Sequence, residues 1–328
     1  MILLVATQSE VLAVDAVAGT MTAGRGLEMH HPTCLAADRF RPGRAWCGTE
    51  RGGIVRTEDG GASWQIAGLE NQRIMAIAAS AARQDLVWAG TEPSDVWRSE
   101  DGGTTWTRTQ PLADLPSSPT WAFPPRPDTH HVRWIACHPA LPDRLWVAIE
   151  AGALVSTHDG GEHWLDRVSG GPYDTHELAV HADAPHTLRV AAGDGYYESF
   201  DGGESWISPM RGFDVGYLRS VAIDPGDLDI VIVSASSHPR SAYVARHADG
   251  RIFRRTSDGD WQRVTHGWPD PPNTIAPLLV AGTAPGSLWA ADERGIHHSD
   301  DGGPHWHTAA AFRSTPNNLR GLAVIQSG

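Results

Sequence analysis

No run in this 328-residue chain approaches the roughly 18 apolar residues that a helix needs to cross a bilayer, so a helical membrane protein is excluded. No basic leader opens it. MILLVATQSEVL breaks at Thr7 and Gln8 before an apolar segment of signal length is reached, and a first strand is expected there. Cysteine is scarce: Cys34, Cys47 and Cys137 are odd in number and lack metal-ligand spacing, which excludes a disulfide scaffold and a cysteine zinc centre. Reduced core thiols and a cytoplasmic location are expected, a bridge between Cys34 and Cys47 on adjacent strands being the alternative. No basic cluster relieves the net charge of −13, so neither nucleic acid nor an anionic membrane is an expected partner. Despite 17 histidines, no HxH or HExxH spacing marks a metal site.

What the chain has in abundance is one motif: TEDGGASW from Thr57, SEDGGTTW from Ser99, THDGGEHW from Thr157, SFDGGESW from Ser199, a shortened TSDGDW from Thr256, and SDDGGPHW from Ser299. The aspartates Asp59, Asp101, Asp159, Asp201, Asp258 and Asp301 recur at 42, 58, 42, 57 and 43 residues. The unit is thus about 42 residues with two insertions of about 15, room for four short strands. An aspartate accepts N–H bonds from the residues just after it, and Gly-Gly takes backbone angles that a Cβ resists, so each copy is a hairpin corner. The Ser or Thr two places earlier bonds back across the turn. The Trp after it starts the next strand, and the runs RAWCGT, DLVWAGT, RLWVAIE and SLWAADE place Trp46, Trp88, Trp146 and Trp289 at matching strand positions. Ten of the fourteen tryptophans thereby read as packing between repeats, and the motif's aspartates as structural. The histidines 158, 163, 297, 298, 305 and 307 beside these corners read as exposed surface.

Four-stranded units with no helical periodicity between them close best as blades around an axis. Six blades are expected at about 31–70, 72–110, 131–169, 174–211, 217–266 and 274–312. ILLVAT, EVLAVDA, TMTAGRG and the C-terminal LRGLAVIQ supply one more, shared between the termini, which closes the ring and hides sheet edges. The expectation is all-β: a seven-bladed β-propeller of four-stranded antiparallel blades, residues 1–328 forming one domain. Counting the shared blade as blade one, residues 131–266 form blades four to six.

With these repeats the chain resembles the Asp-box, or BNR-repeat, propellers, a group including sialidases, xyloglucanase-type glycoside hydrolases, the sortilin ectodomain and the Ycf48-type photosystem II assembly factor. The resemblance covers nearly the whole chain and implies the fold, but no single function, since these relatives do unrelated things. It implies that the corner motifs lie on one face, while the D-to-A and B-to-C loops gather at the channel mouth on the other. The Arg-Ile-Pro-type signature and early-blade groups of sialidases are missing, so true sialidase activity is not expected.

At that mouth the B-to-C loops carry acids: Glu50, Glu92 with Asp95, Glu150, Asp194, and Asp292 with Glu293. Glu150 stands out, because it follows the apolar WVAI and precedes AGA, leaving its carboxylate unscreened. Aligning the innermost strands puts Thr33, Met75, Arg133, His176, Arg219 and Ala276 at one level, with His31, Arg73, His131, Asp174, Tyr217 and Thr274 two residues earlier at the rim. Two insertions, 111–131 and 236–250, are long enough to cover the mouth; the first brings Trp121 and Phe123, the second Arg240 and Tyr243.

The favoured reading is a hydrolase- or lyase-type enzyme acting on a small anionic or sugar-like molecule. Glu150, His176 and Asp174 are its candidate catalytic groups. Arg133, His131, Arg219, Tyr217, Arg240 and Trp121 are its candidate substrate-binding groups. No cofactor is expected, and a divalent metal held by His131, His176 and Glu150 is the variant kept open. The reading from another class is a non-catalytic scaffold that binds a protein partner. Convergence of Arg133, His176 and Glu150 in one pocket separates the two.

Overall fold

Each Asp-Gly-Gly copy is a cross-linked corner. In the first, the Thr57 hydroxyl donates to Asp59 Oδ1 at 2.8 Å and accepts the Gly61 N–H at 3.0 Å, while Asp59 Oδ1 accepts the Ser63 N–H at 2.9 Å. Gly60 and Gly61 sit at φ 74° and 93°, where a side chain would be strained. Ser99, Thr157, Ser199 and Ser299 repeat the hydroxyl-to-aspartate bond. Asp258, from the shortened fifth copy, lies outside the described residues, which are 1–257 and 259–325 of this computed structural model.

The corners also join blade to blade. Trp46 Nε1 donates to the carbonyl of Gly102 at 2.9 Å, and Trp146 Nε1 to that of Gly202 at 2.8 Å, each reaching from one sheet to the next sheet's turn. Both indoles are fully enclosed, so bond and apolar burial act together.

Seven antiparallel sheets result. In blade one the strand Leu319–Ile325 lies innermost beside Ile2–Thr7, followed by Val11–Asp15 and Thr20–Ala23, so the two ends of the described chain share a sheet. Blade two runs from Pro32–Ala37 to Gln65–Ile66, blade three from Arg73–Ala79 to Thr107–Arg108, blade six from Tyr217–Asp224 to Gln262–Arg263, and blade seven from Leu278–Ala281 to His307–Ala311.

Blades four and five differ from the four-stranded expectation. Each has three full strands, Val132–Cys137 to Ala153–Thr157 and Thr175–His181 to Gly195–Ser199, with the outer strand reduced to a single bridge at Leu165 and at Ile207. In blade four the next residue, Asp166, is drawn off to accept the Ser117 N–H at 2.8 Å. In blade five Pro209 follows and has no N–H for a ladder.

Packing revises the exposed-histidine reading in part. His163 and His305 are exposed and bonded to the corner aspartates Asp159 and Asp301. His297 is buried against Asp292 at 3.1 Å, and His298 stacks on Trp289 at 4.0 Å between ring centroids. Among the described residues no helix is long and apolar enough to cross a membrane.

Candidate functional site

A β-bulge recurs near the start of the innermost strand in six blades. The register skips one residue in each case: Arg320, Thr33, Met75, Arg133, His176 and Arg219, in blade order. A bulge leaves its extra residue unpaired and re-aims the side chain. All six line the central bore, a space of about 130 Å³. Above it the mouth widens to a cavity of about 470 Å³ that five of these residues also line, together with Arg73, His131, Asp174 and Tyr217 at the rim.

The first insertion roofs this cavity. Its short 3-10 turns, Leu112–Asp114 and Ser118–Thr120, are anchored by Leu112 and Trp121, which are buried in the core of blades three and four. The following turn brings Phe123, Pro124, Pro125 and Arg126 over the opening. Arg126 clasps Glu92 of blade three through two bonds of 3.0 and 2.6 Å, a bidentate geometry that pins the roof. Phe123 meets the His131 ring edge-on at 4.8 Å.

Beneath the roof Glu150, Asp174 and His176 converge. Glu150 follows the strand Leu145–Ile149, and Asp174 and His176 flank the start of Thr175–His181. Glu150 Oε2 accepts from His131 Nε2 at 2.8 Å and lies 3.4 Å from Arg133 Nε. Asp174 Oδ1 accepts the Ala151 N–H at 2.9 Å. His176, almost fully buried, bonds the Leu218 carbonyl through Nδ1 at 2.5 Å. A carbonyl only accepts, so Nδ1 carries the proton, and the lone pair of a neutral imidazole is on Nε2. That atom lies 3.7 Å from Asp174 Oδ2, 4.0 Å from Glu150 Oε1 and 3.3 Å from the Tyr217 hydroxyl.

The two carboxyls are poised in opposite directions. Burial pushes Glu150 up, but the His131 bond and the charges of Arg133, His131 and His176 outweigh it and hold the group at about 2. Burial pushes Asp174 above its ordinary range; His176 pulls it back in part, and the facing Glu150 pushes it further.

The other residues singled out from sequence have different places. Arg219 is buried, and its guanidinium donates to the backbone carbonyls of Ala276 at 2.6 Å and Leu319 at 2.8 Å, so it braces three blades. Tyr217 reaches Tyr243 across the mouth at 3.5 Å. Arg240 is exposed on the helix Pro239–Tyr243 and lies outside the cavity wall; Pro239 and Tyr243 are the residues of that helix that line it. Trp121 packs inward, Nε1 donating to Ser117 Oγ at 3.0 Å, and Phe123 takes the covering position. Among the loop acids, Asp292 is fully buried, bonded to Arg294, His297 and Thr274.

Two residues of the wall escaped the sequence reading. Arg320 has no ion-pair partner among the described residues and lines both cavity and bore. Its signal was present: LRGL repeats the pattern of LRSV around Arg219 and VRWI around Arg133. Glu177 faces the bore, bonded by the Ser220 hydroxyl at 2.5 Å, and burial pushes its carboxyl up to about 8.

No family model matches the sequence. A curated relative, the photosystem II assembly lipoprotein Ycf48 of Synechococcus sp. (strain CC9902), is 25% identical; the match covers 53% of this chain and 61% of that protein. Among solved structures, the GH74 enzyme of Niastella koreensis superposes with a TM-score of 0.74 at 15% identity, and the GH74 xyloglucanase of Xanthomonas campestris with 0.71 at 15%. Each covers 93% of this chain, which spans only 52% of theirs. A structure of Ycf48 bound to a D1 peptide gives 0.60 at 16% identity, covering 91% of this chain and 94% of that one. By fold, the chain is a seven-bladed β-propeller of the kind shared by the GH74 xyloglucanases and Ycf48.

Proposed function

We propose that the roofed cavity binds a small anionic molecule and carries hydrolase- or lyase-type chemistry on it, at the meeting of blades four to six. One observation carries this reading: on a chain of net charge −13, the cavity wall holds five arginines, at 73, 126, 133, 219 and 320, against three carboxylates, at 50, 150 and 174. Arg126 and Arg219 are committed to Glu92 and to backbone carbonyls. Arg320, which has no ion-pair partner among the described residues, remains for a ligand, with Arg133 lining the same wall beside Glu150 and Tyr243, and guanidinium forks suit carboxylate and phosphate oxygens. All 26 basic residues of the chain are arginine, so this positive charge does not titrate near neutrality.

Proton transfer falls to the groups beside these arginines. His176 presents the Nε2 lone pair of a neutral ring, and burial shifts the Asp174 carboxyl above its ordinary range, so these are the two groups from which a base and an acid would be drawn. Glu150 stays ionised, orienting His131 and Arg133. The cavity volume of about 470 Å³ suits a molecule of one or two sugar rings.

The test is calorimetric titration in the presence of chelator with sugar acids, sugar phosphates and neutral sugars. Anionic ligands are expected to bind, and Arg320→Ala to weaken them at least tenfold without moving the unfolding midpoint. Equal binding of neutral and anionic sugars, or an unchanged affinity in Arg320→Ala, overturns the reading.

A second reading has its own support. Solved Ycf48 holds a D1 peptide, and here the open outer edges of blades four and five sit beside the exposed Leu165, Tyr173, Phe200 and Ile207. A protein partner would dock on that flank and leave the mouth free. For location we assign the cytoplasm, because Cys34, Cys47 and Cys137 are all free thiols, as a reducing compartment keeps them.

A further inference from the structure

We infer that Glu150, Asp174 and His176 form a binding site for a divalent transition ion, Mn²⁺ or Zn²⁺, at the floor of the cavity. One ligating atom from each of Glu150, Asp174 and His176 lies within 4.8 Å of the other two. Each ligand is held by its other polar atom. His131 and Arg133 occupy Glu150 Oε2, the Ala151 N–H occupies Asp174 Oδ1, and the Leu218 carbonyl occupies His176 Nδ1. What is left is Glu150 Oε1, Asp174 Oδ2 and His176 Nε2, the last also met by the Tyr217 hydroxyl at 3.3 Å, and the three gather around a common space. Outer hydrogen bonds that fix the tautomer and rotation of ligands are the mark of metal sites.

His176 Nε2 faces two carboxylate oxygens at 3.7 and 4.0 Å and the Tyr217 hydroxyl at 3.3 Å. The two acids call for positive charge between them: a proton on Nε2 supplies it to one oxygen at a time, whereas a divalent ion takes all three groups as ligands. Around an ion with bonds of 2.0–2.1 Å, neighbouring donors sit about 3.0–3.3 Å apart. The two distances from His176 Nε2, 3.7 and 4.0 Å, exceed that spacing by at most about 1 Å, within reach of rotation of the two carboxylate side chains. Two carboxylate oxygens and one imidazole are a mixed set that suits manganese and zinc better than the all-oxygen shells of calcium. His131, the ligand suggested by sequence, is instead the outer partner that orients Glu150.

The site deepens the anion reading, since a cation here lies beside the space that Arg133 and Arg320 line and would share the ligand's charge. The experiment separates the two. Chelator-treated protein is titrated calorimetrically with MnCl₂ and with ZnCl₂ in the absence of any anionic ligand, and the zinc-loaded protein is examined by X-ray absorption. One equivalent is expected to bind, with a shell of oxygen donors and a single imidazole. Asp174→Asn and His176→Gln should each weaken binding at least tenfold, while His305→Ala on the opposite face leaves it unchanged. Failure of both ions to bind, full binding in the Asp174→Asn and His176→Gln variants, or a shell containing sulfur or several imidazoles overturns the proposal. Anion binding under chelator, measured as above, stands or falls independently.

Discussion

At the scale of single residues, Glu177 shows how far the bore departs from water. Its carboxyl sits at about 8 in the folded chain against an ordinary 4.5, chiefly because burial disfavours the charge. Between those values the folded protein keeps a proton that the unfolded chain releases, so this group's contribution to stability is intact below pH 4.5 and is lost as pH rises toward 8. Glu177→Gln removes that loss. Urea titrations should find the variant equal to the parent at pH 4 and more stable by about 1–2 kcal/mol at pH 8, a figure reduced for the solvent that reaches the bore. Parallel curves across the range would show that the carboxyl titrates normally. Nothing in the local string THELAV marks this glutamate, because its surroundings come from Arg133, Arg219 and Ser220 on other blades. Arg320 was legible in principle, since its strand repeats its neighbours' pattern, but the matching requires the bulge to be aligned as well.

At the scale of elements, the corner turns were legible because every partner lies within six residues. Asp101 accepts the Thr104 and Thr105 N–H groups and the Ser99 and Thr105 hydroxyls, and these bonds outweigh burial to hold its carboxyl at about 2. A folded value below the unfolded one stabilises above the ordinary carboxylate range and fades as pH falls from about 4 toward 2. Asp101→Ala should therefore cost about 1 kcal/mol at pH 7, a modest figure for so exposed a group, with the difference vanishing near pH 2 in chemical denaturation. The roof was less legible. SPTWAFPPRPD holds two aromatics, and which one faces the cavity is settled by Asp166 and Ser117, the latter taking the Trp121 indole inward. Similarly, the shortened outer strands of blades four and five follow from where Asp166 is pulled and from Pro209, neither visible as a break in the repeat.

At the scale of the molecule, ring closure rests on one strand. Leu319, Ala323 and Ile325 are buried where Leu319–Ile325 pairs with Ile2–Thr7, and the Leu319 carbonyl takes a bond from Arg219. A chain ended at Asn318 should lose cooperative thermal unfolding and elute as aggregate in size-exclusion chromatography, whereas Arg320→Ala should remain monodisperse and cooperative. A truncated chain that melts as sharply as the parent would show that the ring holds without this clasp. Closure between the termini was readable from the leftover strands, since six copies of the corner motif left four segments unassigned. The convergence of blades four to six was only partly readable, because each bulge moves its residue out of the alternating pattern that sequence alone supplies.

The closing strand also contributes Arg320 to the mouth, so the segment that finishes the toroid also finishes the cavity wall. Of the wall's residues Arg320 is the last in chain order. Under the function proposed above, a ring still open at this strand would lack that guanidinium, so affinity for the anion would report closure of the toroid.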